Sequence, residues 1–413
     1  MQAKKRNMER MVEVVPDSNW QATQHFASHS PWSDRALTNQ IAKDANSCIG
    51  GDQDSCLLLD ESALTKKGAH SVGVARQWNG RLGKVDNCQV GVFAALCRRK
   101  RVTLIDTRLF LPECWTTNKA RCKQAGVPTD RLKYRKKTEL AVEMVHNARK
   151  NGISFQWVGG DGFYGEDPGF LRQLDKAGEV FMMDIHQDQH IYLEDPQPYI
   201  PKRKGKKGPH PKRFTTALKS VEARFWVAEQ PKSAWKKQFV RSTTQEDLIA
   251  QVLHREVWLW DGKEPRAHKW HLIVTLTPSS RGKLKFSLSN APSDTPLSRL
   301  VFMQAQRYWI ERAFEDAKSE AGMNEYQVRG WRAWHHHMAM VMLAQLFMLE
   351  TRLKFKDDHP LLSCYDIRDM LSHFLPRRDV TPEEVLRQML VRHQQRAESI
   401  RYHKEKQALN QSD

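Results

Sequence analysis

Apolar and polar positions divide the chain into stretches of different period. Over residues 8–15 and 36–49, apolar side chains return every three or four positions, the spacing of one buried helical face. Pro16-Asp17 breaks the first run, and Ser33-Asp34 supplies a start for the second. From Cys56 the pattern becomes strand-like. An apolar run over 56–59 ends on Asp60, and two more strands follow at 88–96 and 101–110. Arg98-Arg99-Lys100-Arg101 between these two suits a hairpin turn at a sheet edge. Residues 137–151 read as an amphipathic helix with Leu140, Val142, Met144, Val145 and Ala148 on its apolar side and Gly152 just beyond its end. A strand over 155–160 ends on Asp161. A helix near 168–177 and a strand over 180–184 come next.

The character changes after residue 190. Residues 202–213, KRKGKKGPHPKR, form a basic loop with glycine and proline punctuation. Strand-like segments lie at 223–228, 256–260, 270–276 and 284–288. From Leu300 almost to the end the pattern is helical. The chain therefore divides into an N-terminal helical region over 1–52, an α/β region over 53–190 and 296–352, a β-rich insertion with its basic loop over 191–295, and a C-terminal helical region over 353–413. The most apolar stretch, 338–349, is interrupted by Gln345. It falls short of the roughly 18 residues of a membrane span, so it reads as a buried helix.

Charge narrows the function classes. Lysine and arginine number 66 against 48 acids, a formal net charge of +18, which points to a polyanionic partner such as nucleic acid. The seven cysteines include no C-x-x-C pair, so reduced core thiols are expected rather than disulfides or a zinc ribbon. The basic N-terminus lacks an apolar signal region, which gives an expectation of a cytoplasmic protein, associated with the nucleoid in a bacterium.

Three acids carry the candidate chemistry. Asp60 and Asp161 each end a strand, where a side chain can project into a site at the sheet's carboxyl edge. Either one alone reads equally well as a turn or cap residue. Arg307, Glu311 and Lys318 stand at i, i+4 and i+11, within about 40° of one another on a helical wheel. A solvated face with an i,i+4 ion pair would give the same stripe. Trp258, Trp260 and Trp270 are aromatic candidates for stacking a base, with core packing the plainer reading. His335-His336-His337, consecutive on a helix, make a poor chelate and read as helix-surface residues.

The R-x3-E-x6-K pattern of Arg307, Glu311 and Lys318 resembles the Y-x2-R-x3-E-x6-K signature of one branch of the DDE insertion-sequence transposases. Gln304 stands at the tyrosine position. The blocks 58–62, 66–68 and 83–92 look like that branch's first-strand region, and its D-x-T/S pattern selects Asp60 rather than Glu61. Residues 160–165, GDGFYG, are similar to its second-aspartate block, and 314–331 to the block around its glutamate. The resemblance implies an α/β fold: an RNase H-like mixed-sheet catalytic core with a β-rich insertion between the second aspartate and the glutamate. It implies Asp60, Asp161 and Glu311 as catalytic metal ligands, for two Mg²⁺ ions or Mn²⁺, with Asp60 bridging both. Arg307 and Lys318 would contact phosphates beside the cut. Lys66, Lys67, Lys202, Arg203, Lys204, Lys206 and Lys207 would hold DNA farther away. The implied partners are the double-stranded ends of an element and its target DNA, with at least a dimer when two ends are paired. Two other readings stay open. One is a transposon derivative that binds DNA with limited catalysis, since family members often carry more sequence ahead of the first helical segment. The other is a two-metal nuclease without strand transfer.

Overall fold

The computed structural model describes residues 3, 6–202, 210–242, 246–280 and 282–409. Three helices open the chain: α1 (Met8–Val14), α2 (Trp20–Ser28) and α3 (Asp34–Ile49). Asn7, Asn19 and Ser33 cap them, each side chain accepting the backbone N–H three residues on. The pattern at 8–15 and 36–49 anticipated α1 and α3. The intervening α2 lies within the helical region expected over 1–52.

The strands β1 (Ser55–Thr65), β2 (Ala75–Asn79), β3 (Lys84–Arg98) and β4 (Arg101–Leu109) come next. β1 pairs antiparallel with β3. β3 is long enough to pair with β2 along its first part and with β4 along its second. Arg99 turns the β3–β4 hairpin at φ 56°, the left-handed conformation that a two-residue primed turn needs. Its guanidinium is anchored 2.6 Å from Asp54. Helices α4 (Glu113–Thr116), α5 (Lys119–Gln124) and α6 (Lys137–Lys150) lead to β5 (Trp157–Gly160), α7 (Gly162–Gly165), α8 (Pro168–Lys176) and β6 (Phe181–Ile185). β5 runs parallel to β1, and β6 parallel to β5. The order β4-β3-β1-β5-β6, with its antiparallel arm and parallel arm meeting at β1, is the RNase H-like arrangement.

Past β6, β7 (His190–Ile191) and β8 (Val221–Glu222) make a small separate sheet, followed by α9 (Ala223–Ala228). The strand expected at 223–228 is therefore a helix. Ala223, Trp226 and Val227 are buried at i, i+3 and i+4, and that packing overrides the strand preference of Phe225, Trp226 and Val227. β9 (Lys236–Ser242), β10 (Asp247–Leu259), β11 (His268–Leu276) and β12 (Lys285–Ser289) form an antiparallel run. β12 pairs with β6, so these strands continue the central sheet to ten strands.

Helices α10 (Leu297–Gln306), α11 (Tyr308–Ser319), α12 (Trp331–Lys354), α13 (Cys364–Phe374) and α14 (Pro382–Leu409) finish the chain. α3, α11 and α12 pack on β4, while α6 and α8 pack on each other. Cys56, Leu57, Leu58 and Leu59 are each fully buried, so both faces of the central strand are covered. α12 is apolar nearly all round: most of it is buried, and Met340, Leu343 and Phe347 lie exposed along its remaining face. This corrects the surface reading of the three histidines: His335 and His336 are 6 % and 1 % exposed. The His336 ring stacks on Trp32 at 3.7 Å and contacts the carbonyls of Ala27 and Trp32. Among the described residues, no helix is long and apolar enough to cross a membrane.

Candidate active site

Three carboxylates stand in a row because three parallel strands run level. Asp161 follows the end of β5 and Asp184 is next to last in β6, while Asp60, expected at a strand end, lies within β1, which pairs with β3 on to Thr65. Leu59 of β1 is level with Gly160 of β5, and Gly160 is level with Met183 of β6. The next residues are Asp60, Asp161 and Asp184, on neighbouring strands spaced about 4.8 Å apart. Asp161 also caps α7, accepting the N–H of Phe163 at 3.1 Å. α7 can sit this close to β6 only because Gly165 lacks a side chain: a Cβ there would come within 1.8 Å of the Asp184 carbonyl oxygen.

Glu311 arrives from above on α11. Arg307, at the junction of α10 and α11, keeps helical backbone angles, so the i,i+4 relation holds and its Nη2 lies 2.8 Å from Glu311. The same guanidinium lies 2.8 Å from Asp184 through Nε and 3.9 Å from Asp60 through Nη1. Asp60, Asp161, Asp184, Arg307, Glu311 and Lys318 line one open groove of about 1060 Å³. The structure thus places the three sequence-selected acids, Arg307 and Lys318 along one groove and adds Asp184. Among the described residues the carboxylate oxygens of Asp60, Asp161 and Glu311 do not all come within 4.8 Å of one another, Arg307 standing between them.

Electrostatics follow from burial. Burial and the neighbouring Asp161 push the Asp60 carboxyl up to about 8. Burial raises Asp161 as well, against the opposing pull of Arg307. For Arg307, burial would lower the guanidinium, but Asp184, Glu311, Asp60 and Asp161 outweigh it and hold it above its usual range. Burial lowers the Lys318 ammonium, helped by Arg81 and opposed by Asp60. Too many carboxylates meet here for the cations present, which is the condition a divalent metal relieves. The all-oxygen donor set of Asp60, Asp161 and Glu311 fits Mg²⁺ or Mn²⁺.

Asp184 was overlooked although the run Phe181-Met182-Met183-Asp184 repeats the signal of the other two strands, an apolar strand ending on an acid. Its Oδ1 accepts the Ser287 hydroxyl at 2.7 Å, and Lys285 Nζ lies 3.2 Å from Oδ2. Gln304, at the signature's tyrosine position, is 4 % exposed and donates to Ser287 Oγ at 2.8 Å. It therefore backs the carboxylate row from inside the protein. Glu166, His186 and Asp188 form an exposed group beside the groove, their ligand atoms within 4.8 Å of one another.

The remaining candidates are scattered. Lys66 turns inward onto Tyr326, whereas Lys67 and Lys202 are exposed. Arg203, Lys204, Lys206 and Lys207 lie outside the described residues. Trp270 is buried edge-on against Phe181, and Trp260 donates to the Glu264 carbonyl. Trp258 is half-buried, its backbone paired with that of Tyr192. Trp78, 59 % exposed, lines the groove instead.

Comparison with known proteins bears on this arrangement. The profile of the family described as DDE superfamily endonuclease matches residues 1–247, a span that contains Asp60, Asp161 and Asp184. A probable transposase for insertion sequence element IS701 from Microchaete diplosiphon is 22% identical over 329 residues, 79% of this chain and 73% of that protein. The crystal structure of the NurA nuclease from Sulfolobus solfataricus aligns over 80% of this chain and 94% of its own, at 9% identity. Its TM-score of 0.22 is too low to carry an argument.

Proposed function

The chain belongs to the DDE superfamily endonucleases, and from that premise we propose that it is a transposase. It cuts the ends of an insertion element and joins the freed 3′-OH to target DNA. The observation that carries this reading is the convergence of Asp60, Asp161 and Glu311, from three distant segments, on one groove around Arg307. Two Mg²⁺ ions held by these carboxylates would supply activation of the attacking hydroxyl and charge stabilisation at the leaving oxygen.

The protein's own groups do the rest. Asp60, between Asp161 and the approaching α11, would serve both metal positions. Arg307 stands among the acids, and Lys318 lies eleven residues farther along the same helical face, about 16 Å at 1.5 Å per residue. With a divalent cation on the carboxylates, the Arg307 fork would be free to grip a phosphate bidentately, and Lys318 would meet a neighbouring phosphate as a point charge. The exposed Lys67 and Lys202 add sequence-independent attraction for the duplex. Double-stranded element ends and target DNA are the partners, and pairing two ends calls for at least two copies of the chain. The relative's role with an insertion sequence element supports the same reading.

The test is metal-dependent cleavage of a labelled duplex carrying the element's own ends, with wild type beside Glu311→Gln. Cleavage lost in the variant while DNA binding persists is the expected result. Equal cleavage by both removes Glu311 from the site. Binding without cleavage by either would instead indicate a derivative that occupies DNA and does not cut it.

A further inference from the structure

A second groove lies where α1 and α2 face the connection after β1 and the segment ahead of α12. Arg6, Lys66, Lys67, Arg329 and His337 are on its wall, with Glu9 as the opposing carboxylate. Arg6 is matched by Glu325, at 3.5 Å. Lys66 follows the end of β1, six positions beyond Asp60, roughly 20 Å along an extended strand.

Lys66 is the anomaly in this groove. Its ammonium donates to the Tyr326 carbonyl at 3.0 Å and sits 3.2 Å from the centre of the Tyr326 ring. Among the described residues no carboxylate lies within ion-pair distance of it, and burial alone pushes it down to about 8. A half-buried ammonium without a counter-charge carries a desolvation cost, and it has further protons to give. Beside it, the His337 ring packs on Tyr326 at 4.8 Å, and its buried Nε2 has no partner. Lys67 and Arg329 stand exposed on the same wall. Cations left without acids at the floor and rim of an open groove are what an anionic backbone requires.

We infer that this groove binds a phosphodiester of duplex DNA, with Lys66 at its floor and Lys67 and Arg329 at its mouth. The choice of DNA rests on the reading of the chain as a DNA-cutting enzyme. A separation of roughly 20 Å from the carboxylates is about six base pairs of duplex at 3.4 Å each, so one DNA segment can span both grooves.

The experiment is binding of a short fluorescent duplex, by anisotropy, across a salt series in EDTA, for wild type, Lys66→Met and Arg329→Gln. Each variant should bind more weakly whatever the sequence, with the log–log salt slope reduced by about one. Lys66→Met removes an unmatched half-buried charge, so its Tm should equal or exceed that of the wild type. A lysine needed only for structure would give a lower one. Affinity and slope unchanged in both variants overturn the proposal. So does Lys66-dependent displacement of the duplex by inorganic phosphate at matched ionic strength, which would reassign the groove to the free anion. Because no metal is present, a failure here is separate from a failure of the cleavage reading.

Discussion

Arg307 holds Asp184 at 2.8 Å through Nε, at ion-pair distance but without hydrogen-bond alignment. Among the described residues, Asp184 is the one ion-pair partner of Arg307 outside the expected metal-ligand set; Asp60 and Glu311, within that set, also face the guanidinium. It can keep Arg307 in the groove after a metal takes those two carboxylates. Asp184→Asn should leave Arg307 competing harder with the metal. The Mn²⁺ concentration for half-maximal cleavage should rise about three- to tenfold, the scale of ~1 kcal/mol of charge interaction. A titration of cleavage against Mn²⁺ that does not move would refute this.

Metal binding should also be linked to protons. Burial and Asp161 push Asp60 up to about 8, and a metal ligand must be ionised. Mn²⁺ affinity, read by the spectroscopic signal of free Mn²⁺, should climb as pH approaches 8, by up to about tenfold per unit, and level off above it. For the metal-free protein the sign is opposite. The folded state keeps a proton that the unfolded chain loses near the ordinary value of 3.8. That contribution to stability is present at low pH and fades as pH rises toward 8. Asp60→Asn should abolish this decline in metal-free melting curves.

The ion network under β4 is structural. Asp106 and Arg108 are 4 % and 6 % exposed. Arg35 reaches Asp106 at 2.6 Å, and Arg108 reaches Glu143 at 2.9 Å. Asp106→Ala removes the buried acid that Arg35 and Arg108 share, leaving Arg108 to Glu143 alone, and should lower stability by about 3–5 kcal/mol in urea unfolding. Burial would raise Glu143, but Arg108 and Arg131 overcome it and hold the carboxyl at about 2. Its contribution is therefore present above the ordinary 4.5 and lost as pH falls from there toward 2.

Restoring the signature at position 304 should not help. Gln304 is buried and donates to Ser287, which in turn donates to Asp184. Gln304→Tyr would overpack this place at about 1–3 kcal/mol. It should leave DNA affinity no better, measured by anisotropy alongside unfolding. Tighter DNA binding at unchanged stability would show that the ring reaches the groove.

Period and strand ends made much of this readable in advance. An apolar run stopping on an acid singles out Asp60 and Asp161, and the i,i+4,i+11 stripe singles out Arg307, Glu311 and Lys318, as candidates that the fold sets along one groove. The same signal at Asp184 needed the register between β5 and β6 to become meaningful, because adjacency of strand ends is a tertiary property. Lys66 shows the limit from the other side. As a residue type it reads as solvated, and only the packing of Tyr326 and His337 makes it a half-buried charge. The helix at 223–228 was hidden because strand-forming residues were spaced for burial on one helical side. The histidines of α12 were hidden because α2 covers them from far away in sequence.

The ladder between β12 and β6 joins residues 236–289 to the central sheet through backbone hydrogen bonds. The region is therefore no detachable cassette. Excising it, or exchanging it for a relative's version of different register, would leave the β6 edge bare beside Asp184, an invitation to aggregation. The loop after β10 is held as well, Asp261 and Glu264 pairing with Arg172 and Lys176 of α8 at 2.9 and 2.7 Å. Any exchange of this region therefore has to keep both its root on β6 and its grip on α8.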